Sequence, residues 1–120
     1  MRKLVYLISP LKINKNFYKK LDRVLSFGNS AYFQLRLKDK NKSNILRIAR
    51  KIFKITKKHK VKLIINDDYK LSLKVKADGC HLGQLDGSIK VARQKLKKKI
   101  LGVTCHNSKL FAKNAIREKA

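Results

Sequence analysis

The chain has 120 residues, 43% of them hydrophobic, with 32 basic against 7 acidic side chains and a formal net charge of +25. That is enough apolar material for a single domain with a real core, and it excludes an acidic disordered tail, a collagen-like repeat and a disulfide scaffold. No apolar run is long enough to span a bilayer, and the stretch behind Met1-Arg2-Lys3 stops at Ser9-Pro10, too soon for a signal peptide, so Cys80 and Cys105 are expected to be reduced thiols in a cytoplasmic protein.

The first element is the apolar run Leu4-Val5-Tyr6-Leu7-Ile8, which reads as a buried strand ended by Ser9-Pro10. Phe17, Leu21, Val24 and Leu25 then share a helical face that Asn14 or Asn16 can cap. Gly28-Asn29-Ser30 is a turn, and a second strand is predicted over 31–37. Ser43 is expected to cap the clearest helix. Its Ile45, Ile48, Ala49, Ile52 and Phe53 form one apolar stripe, opposite Arg47, Arg50, Lys51, Lys54, Lys57 and Lys58. A third strand follows over 61–65, a short helix over 69–75 and a brief fourth strand over 78–81. Ser88 caps a helix carrying Ile89, Ala92 and Leu96. A fifth strand covers 100–103, and Asn107 or Ser108 opens a helix with Leu110, Phe111, Ala115 and Ile116.

A strand followed by a helix, five times over, predicts an α/β fold with a parallel sheet and right-handed crossovers. Two architectures meet that pattern, an open doubly wound sheet and part of a (β/α)8 barrel, and periodicity alone does not separate them. In either one the ligand site lies at the carboxyl ends of the strands.

Read in order, those ends are polar. Gln34, Arg36 and Lys38 recur at period two, which places an amide, a guanidinium and an ammonium on one face of an extended strand. Asn66-Asp67-Asp68 ends the third strand, His81, Gly83, Gln84 and Asp86 follow the fourth, and Gly102-Val103-Thr104-Cys105-His106 the fifth. Four of the 7 acids, Asp67, Asp68, Asp78 and Asp86, cluster here. Asp68 and Asp78 read as caps or turn residues. Asp67 and Asp86 read as ligands of a hard cation such as Mg2+, with Arg36 and Lys38 neutralising phosphate oxygens beside it. A zinc site from Cys80, His81, Cys105 and His106 lacks the usual ligand spacing. The remaining charge reads as a solvated Lys-rich surface with no specific nucleic-acid partner. Lys outnumbers Arg 25 to 7, whereas phosphate and base recognition lean on guanidinium forks, and most of the aromatic residues fall at apolar positions of elements.

The run Gln34-Leu35-Arg36-Leu37-Lys38, then Asn66-Asp67, then Ala77-Asp78-Gly79-Cys80-His81-Leu82-Gly83-Gln84-Leu85-Asp86, then Gly102-Val103-Thr104-Cys105-His106 resembles thiamine-phosphate synthase, and shares many positions with the related thiazole tautomerase. The fourth-strand stretch is the specific signal. The resemblance implies a (β/α)8 barrel that joins hydroxymethylpyrimidine diphosphate to thiazole phosphate and releases pyrophosphate. It implies that Gln34, Leu35, Arg36, Leu37, Lys38, Asn66 and Thr104 bind the pyrimidine diphosphate and that Asp67 and Asp86 hold Mg2+. No acid-base role then falls to His81 or His106. The family usually carries Glu where Leu37 stands here.

A full barrel takes about 200 residues or more. The chain is therefore expected to be a single domain, 1–120, ending after the fifth βα unit. Strands six to eight, with the lysine-bearing segment and the glycine loops that bind the thiazole phosphate, are missing from it. Three outcomes are expected of such a half: a synthase inactive alone, one completed by a second copy or a complementing chain, or a module that binds Mg2+ and diphosphate without turnover. Five parallel strands cannot close, which leaves two sheet edges open.

Overall fold

The computed structural model describes residues 3–38 and 41–120. Strands β1 (Val5–Ile8), β2 (Ser30–Leu35), β3 (Lys62–Asn66), β4 (Gly79–Leu82) and β5 (Ile100–Val103) alternate with helices α1 (Phe17–Leu25), α2 (Lys42–Lys58), α3 (Tyr69–Val75), α4 (Ile89–Leu96) and α5 (Lys109–Arg117). The strands lie in the order β1-β2-β3-β4-β5, and every neighbouring pair is parallel. A doubly wound sheet needs a reversal of strand order, and none occurs here. Right-handed crossovers that always step the same way wind all the helices onto one face, which is barrel winding. The sheet does not close, so β1 and β5 are free edges.

The helix-covered face holds the core. Phe33 and Leu35 of β2 and Leu63 and Ile65 of β3 pack with Leu21 and Leu25 of α1, Ile48, Ala49 and Ile52 of α2, and Val75 of α3. Cys80 and Leu82 of β4 and Leu101 of β5 pack with Ala92 and Leu96 of α4. These are alternate strand residues meeting helix residues spaced by three and four, as the two periods require.

The helix starts agree with the sequence in three cases. The side chains of Asp68, Ser88 and Ser108 each accept the backbone N–H three residues on, from Leu71, Val91 and Phe111. At α1 the bond comes from Asn14, whose Oδ1 accepts the Phe17 N–H at 3.0 Å. The α2 cap is Asn41 and not Ser43: Asn41 has extended backbone and accepts the Asn44 N–H at 3.1 Å, while Ser43 already lies inside the first turn. Asp78 caps no helix. Its Oδ2 accepts the Leu63 N–H at 2.8 Å and its other oxygen faces Lys62, tying the start of β4 to β3.

One expectation about burial is corrected at an edge. β1 reads as a buried strand, yet Val5, Tyr6 and Ile8 are exposed, because an edge strand has a neighbour on one side only. The apolar stripe of α5 is bare in the same way. Leu110 is 73% and Ile116 74% exposed, and only Ala115 is buried. Strand β2 also stops at Leu35, two residues before the predicted end. Among the described residues no helix is long and apolar enough to cross a membrane.

Candidate functional site

Strand register sets the floor of the site on the face without helices. Ile8, Gln34, Ile64, Gly79 and Ile100 are successive partners across the five strands, and Asn66, His81 and Gly102 form the next row toward the carboxyl ends. Both rows need glycine. A Cβ on Gly79 would overlap the carbonyl oxygen and Cβ of Ile100, and one on Gly102 would stand 2.5 Å from His81 Nδ1. The absent side chain at Gly102 leaves the space that the imidazole occupies.

Above these rows lies an open cavity of about 540 Å³, lined by Tyr6, Ile8, Gln34, Arg36, Asn66, Asp67, His81, Gly83, Thr104 and His106. Its polar groups are held in place from several strands. Buried Gln34 donates from Nε2 to the Tyr6 hydroxyl at 3.0 Å, and the Tyr6 ring stacks on Tyr32 at 5.5 Å. His81 Nε2 lies 2.8 Å from Thr104 Oγ1, and Gln84 Nε2 donates to the Thr104 carbonyl at 2.7 Å. The polar chain His81–Thr104–Gln84 thus joins β4 to the loop after β5.

The carboxylates meet at the carboxyl ends of β3 and β4. Asp67 follows β3 with a left-handed backbone (φ 68°), and its N–H donates to the His81 carbonyl at 2.7 Å, carrying β3–β4 pairing one residue beyond the strand. Asp86 Oδ2 accepts the Gly83 N–H at 2.7 Å, which folds the loop after β4 back over the sheet. The Asp86 carboxyl group lies close enough to Asp67 to act on its ionisation. Partial burial, followed by the neighbouring Asp86 carboxyl, pushes Asp67 up to about 6, and the Arg36 guanidinium opposes that rise. Burial and then Arg36 hold His81 below its ordinary value, against the pull of Asp86, so the ring is kept neutral. Cys80 is on the helix side of β4, and burial raises its thiol to about 12.

Five of the predicted residues therefore share one cavity: Gln34, Arg36, Asn66, Asp67 and Thr104. Asp86 joins them through Asp67. Lys38 lines a neighbouring cavity with Leu11, Ile13, Leu37 and Ile48 instead. The period-two argument that grouped it with Gln34 and Arg36 requires extended strand, and strand ends at Leu35. Leu35 is buried in the helix-side core and Leu37 packs against it, the face opposite Gln34. Tyr6, Ile8 and His106 are lining residues that sequence reasoning left without a role. For Tyr6 and Ile8 the signal was present, since they alternate along β1 in step with Gln34. Cys80, His81, Cys105 and His106 form no metal cluster, and among the described residues no three His, Cys, Asp or Glu side chains gather to hold one.

The comparisons with known proteins bear on this geometry. The family model described as thiamine monophosphate synthase matches residues 5–120. The chain belongs to that family. It is 56% identical to the thiamine-phosphate synthase of Pelagibacter ubique over 99% of its own length and 58% of that protein's. With the Erythrobacter litoralis thiamine-phosphate synthase the identity is 40%, over 92% of this chain and 54% of the relative. The solved thiamine phosphate pyrophosphorylase from Pyrococcus furiosus superposes with a TM-score of 0.83 at 26% identity, covering 99% of this chain and 57% of that one. The chain thus spans little more than half the length of these thiamine-phosphate synthase relatives, and the five strands correspond to part of a barrel-type fold.

Proposed function

We propose that this chain carries the pyrimidine-diphosphate half of a thiamine-phosphate synthase site. The observation that carries the reading is Asp67 sharing one open cavity with Arg36, with the Asp86 carboxyl beside Asp67. Asp86 holds the loop after β4 through Gly83, but two neighbouring carboxylates raise each other's cost of ionisation. That cost is removed when a divalent cation takes the place of the proton on Asp67.

Two carboxylates open to solvent suit Mg2+, which keeps several waters and shares its other positions with phosphate oxygens. When bound, the ion would neutralise charge on a diphosphate group. Arg36 would hold the diphosphate from the β2 side with a guanidinium fork. Tyr6 and Ile8 offer an apolar wall to a heteroaromatic ring, while Gln34 and Asn66 supply amide contacts at its edge. Neutral His81, pinned by Thr104, adds a further polar contact without adding charge.

In the reaction the bond between the pyrimidine methylene carbon and the diphosphate oxygen breaks, and pyrophosphate leaves with the electron pair. The thiazole nitrogen then supplies the pair for the new bond to carbon. No proton is lost from the nitrogen, so no side chain of this site has to act as a base. The role of Arg36 is to stabilise the departing anion, and that of the carboxylates would be to hold the Mg2+ that neutralises it.

Hydroxymethylpyrimidine diphosphate is thus the substrate these residues address. The thiazole phosphate needs groups beyond β5, in the part of the relatives' length that this chain does not span. The test is calorimetry with Mg2+ and pyrophosphate, together with a turnover assay on both substrates. Mg2+-dependent pyrophosphate binding without product is expected of the chain alone. Robust thiamine phosphate formation by the lone chain would overturn the half-site reading, and absence of Mg2+-dependent binding would overturn the site itself.

A further inference from the structure

Backbone pairing between β1 and β2 ends at Ile8 and Gln34, and the Ser9 N–H donates to the Gln34 carbonyl at 2.9 Å. Beyond it stands Pro10, which has no N–H to continue a ladder. The Ser9 side chain takes over. Its Oγ accepts the Arg36 N–H at 2.9 Å, and its hydroxyl is within reach of the Pro10 carbonyl at 3.0 Å and the Arg36 carbonyl at 3.3 Å. Two residues on, the Lys38 N–H donates to the Leu11 carbonyl at 3.0 Å. Ser9 is 6% exposed although the residues on either side of it, Ile8 and Pro10, are exposed. A buried hydroxyl with an acceptor and a donor bond fixed in place bridges the gap between the last strand pair and the first loop contact.

The geometry points to Ser9 as the positioning residue for Arg36. It holds the backbone of Arg36 after β2 has ended, where the chain would otherwise be free to swing. The Arg36 side chain is exposed at the mouth of the cavity, and its charge is felt at both Asp67 and His81. A long flexible side chain is held over such a cavity reliably only if its own Cα is fixed, since each unfixed torsion costs ordering entropy on binding. Ser9 touches neither the proposed anion nor the metal. Its effect is exerted through Arg36, and the inference rests on the reading that Arg36 grips a diphosphate.

The experiment measures the affinity of the full 120-residue chain for pyrophosphate at saturating Mg2+ by calorimetry, with thermal unfolding recorded beside it. The variants are Ser9→Ala, Ser9→Thr, Arg36→Ala and Thr56→Ala, the last a buried hydroxyl in α2 far from the cavity. Ser9→Ala is expected to weaken binding about tenfold, the worth of one well-made hydrogen bond. Ser9→Thr, which keeps the hydroxyl, should stay within about twofold of the parent. Thr56→Ala is expected to lower the melting temperature with affinity unchanged, which separates positioning from general loosening of the fold. Unchanged affinity in Ser9→Ala alongside a loss in Arg36→Ala overturns the inference and leaves the diphosphate reading intact. Equal weakening in Ser9→Ala and Thr56→Ala also overturns it. Unchanged affinity in Arg36→Ala overturns the reading beneath it.

Discussion

The Asp86 carboxyl group stands beside Asp67, and partial burial together with that neighbouring charge favours a proton on Asp67. Asp67 carries the cost. Its folded value of about 6 lies above the ordinary 3.8, so the folded chain binds the proton more tightly than the unfolded chain does. The associated stability is fully present below pH 4 and is lost as pH rises through 6. At neutral pH the pair is a strain on the metal-free fold. Asp67→Asn is therefore expected to stabilise the metal-free chain at pH 7 by about 1 kcal/mol, allowing for solvent screening of a partly exposed group. The gain should vanish at pH 4. Urea unfolding at the two pH values reads it directly, and an equal gain at both would show that the proton has no part in it.

The raised Asp67 value also predicts how the proposed Mg2+ site would respond to pH. A divalent cation displaces the Asp67 proton, so Mg2+-dependent pyrophosphate affinity should rise as pH goes from about 5 to about 7 and level off above. Calorimetry in two buffers of different ionisation enthalpy should detect proton release near pH 6. In Asp67→Asn both the pH dependence and the release should disappear. A flat pH profile in the parent chain would remove the carboxyl pair from the binding event.

Gly79 and Gly102 both need to lack a side chain, for different reasons with different consequences. A Cβ at Gly79 meets the backbone of Ile100, which cannot move without parting β4 from β5. Gly79→Ala is expected to cost several kcal/mol, beyond the ordinary range for a buried overpacking change of about 1–3 kcal/mol. At Gly102 the obstacle is the His81 ring, a side chain that can turn away. Gly102→Ala should cost about 1–2 kcal/mol and break the bond between His81 and Thr104. Denaturant unfolding ranks the two, and imidazole proton resonances report whether His81 has let go.

The alternation of elements was legible in the sequence because each strand is a short apolar run and each helix shows a single stripe. The short helix Tyr69–Val75 and the strand Ile100–Val103 fall where the pattern puts them. Gln34, Arg36, Asn66, Asp67 and Thr104 line one cavity because a parallel sheet brings the carboxyl ends of its strands together. Lys38 was misplaced because residue alternation says nothing about where a strand stops. The bareness of β1 and α5 depends on what lies beside each edge, which no local pattern encodes. The Ser9 contact with Arg36 was hidden for a related reason, as it exists only once β1 and β2 are in register.

Capping of α2 offers a clean test of one such local ambiguity. Asn41 and Ser43 are both competent caps two residues apart, and the extended backbone at Asn41 decides between them. Asn41→Ala should cost about 1 kcal/mol and Ser43→Ala only a few tenths. Thermal unfolding of the two variants under identical conditions settles the order. Equal losses would mean that the helix can start from either residue.

The free edges should make the lone chain associate, and in an unusual salt regime. β1 presents unpaired backbone beside exposed Tyr6 and Ile8, while α5 presents Leu110 and Ile116, so apolar surface remains at both ends of the sheet. A net charge of +25 keeps copies apart at low ionic strength. Screening weakens that repulsion and leaves apolar attraction untouched, so association is expected to grow from about 50 mM to about 0.5 M NaCl. An interface built on ion pairs would do the opposite. Leu110→Lys with Ile116→Lys should keep the chain monomeric at both salt concentrations in sedimentation velocity, while leaving pyrophosphate affinity within about twofold, because α5 lies outside the cavity. Association that weakens with salt, or that survives the double substitution, would move the contact away from this edge.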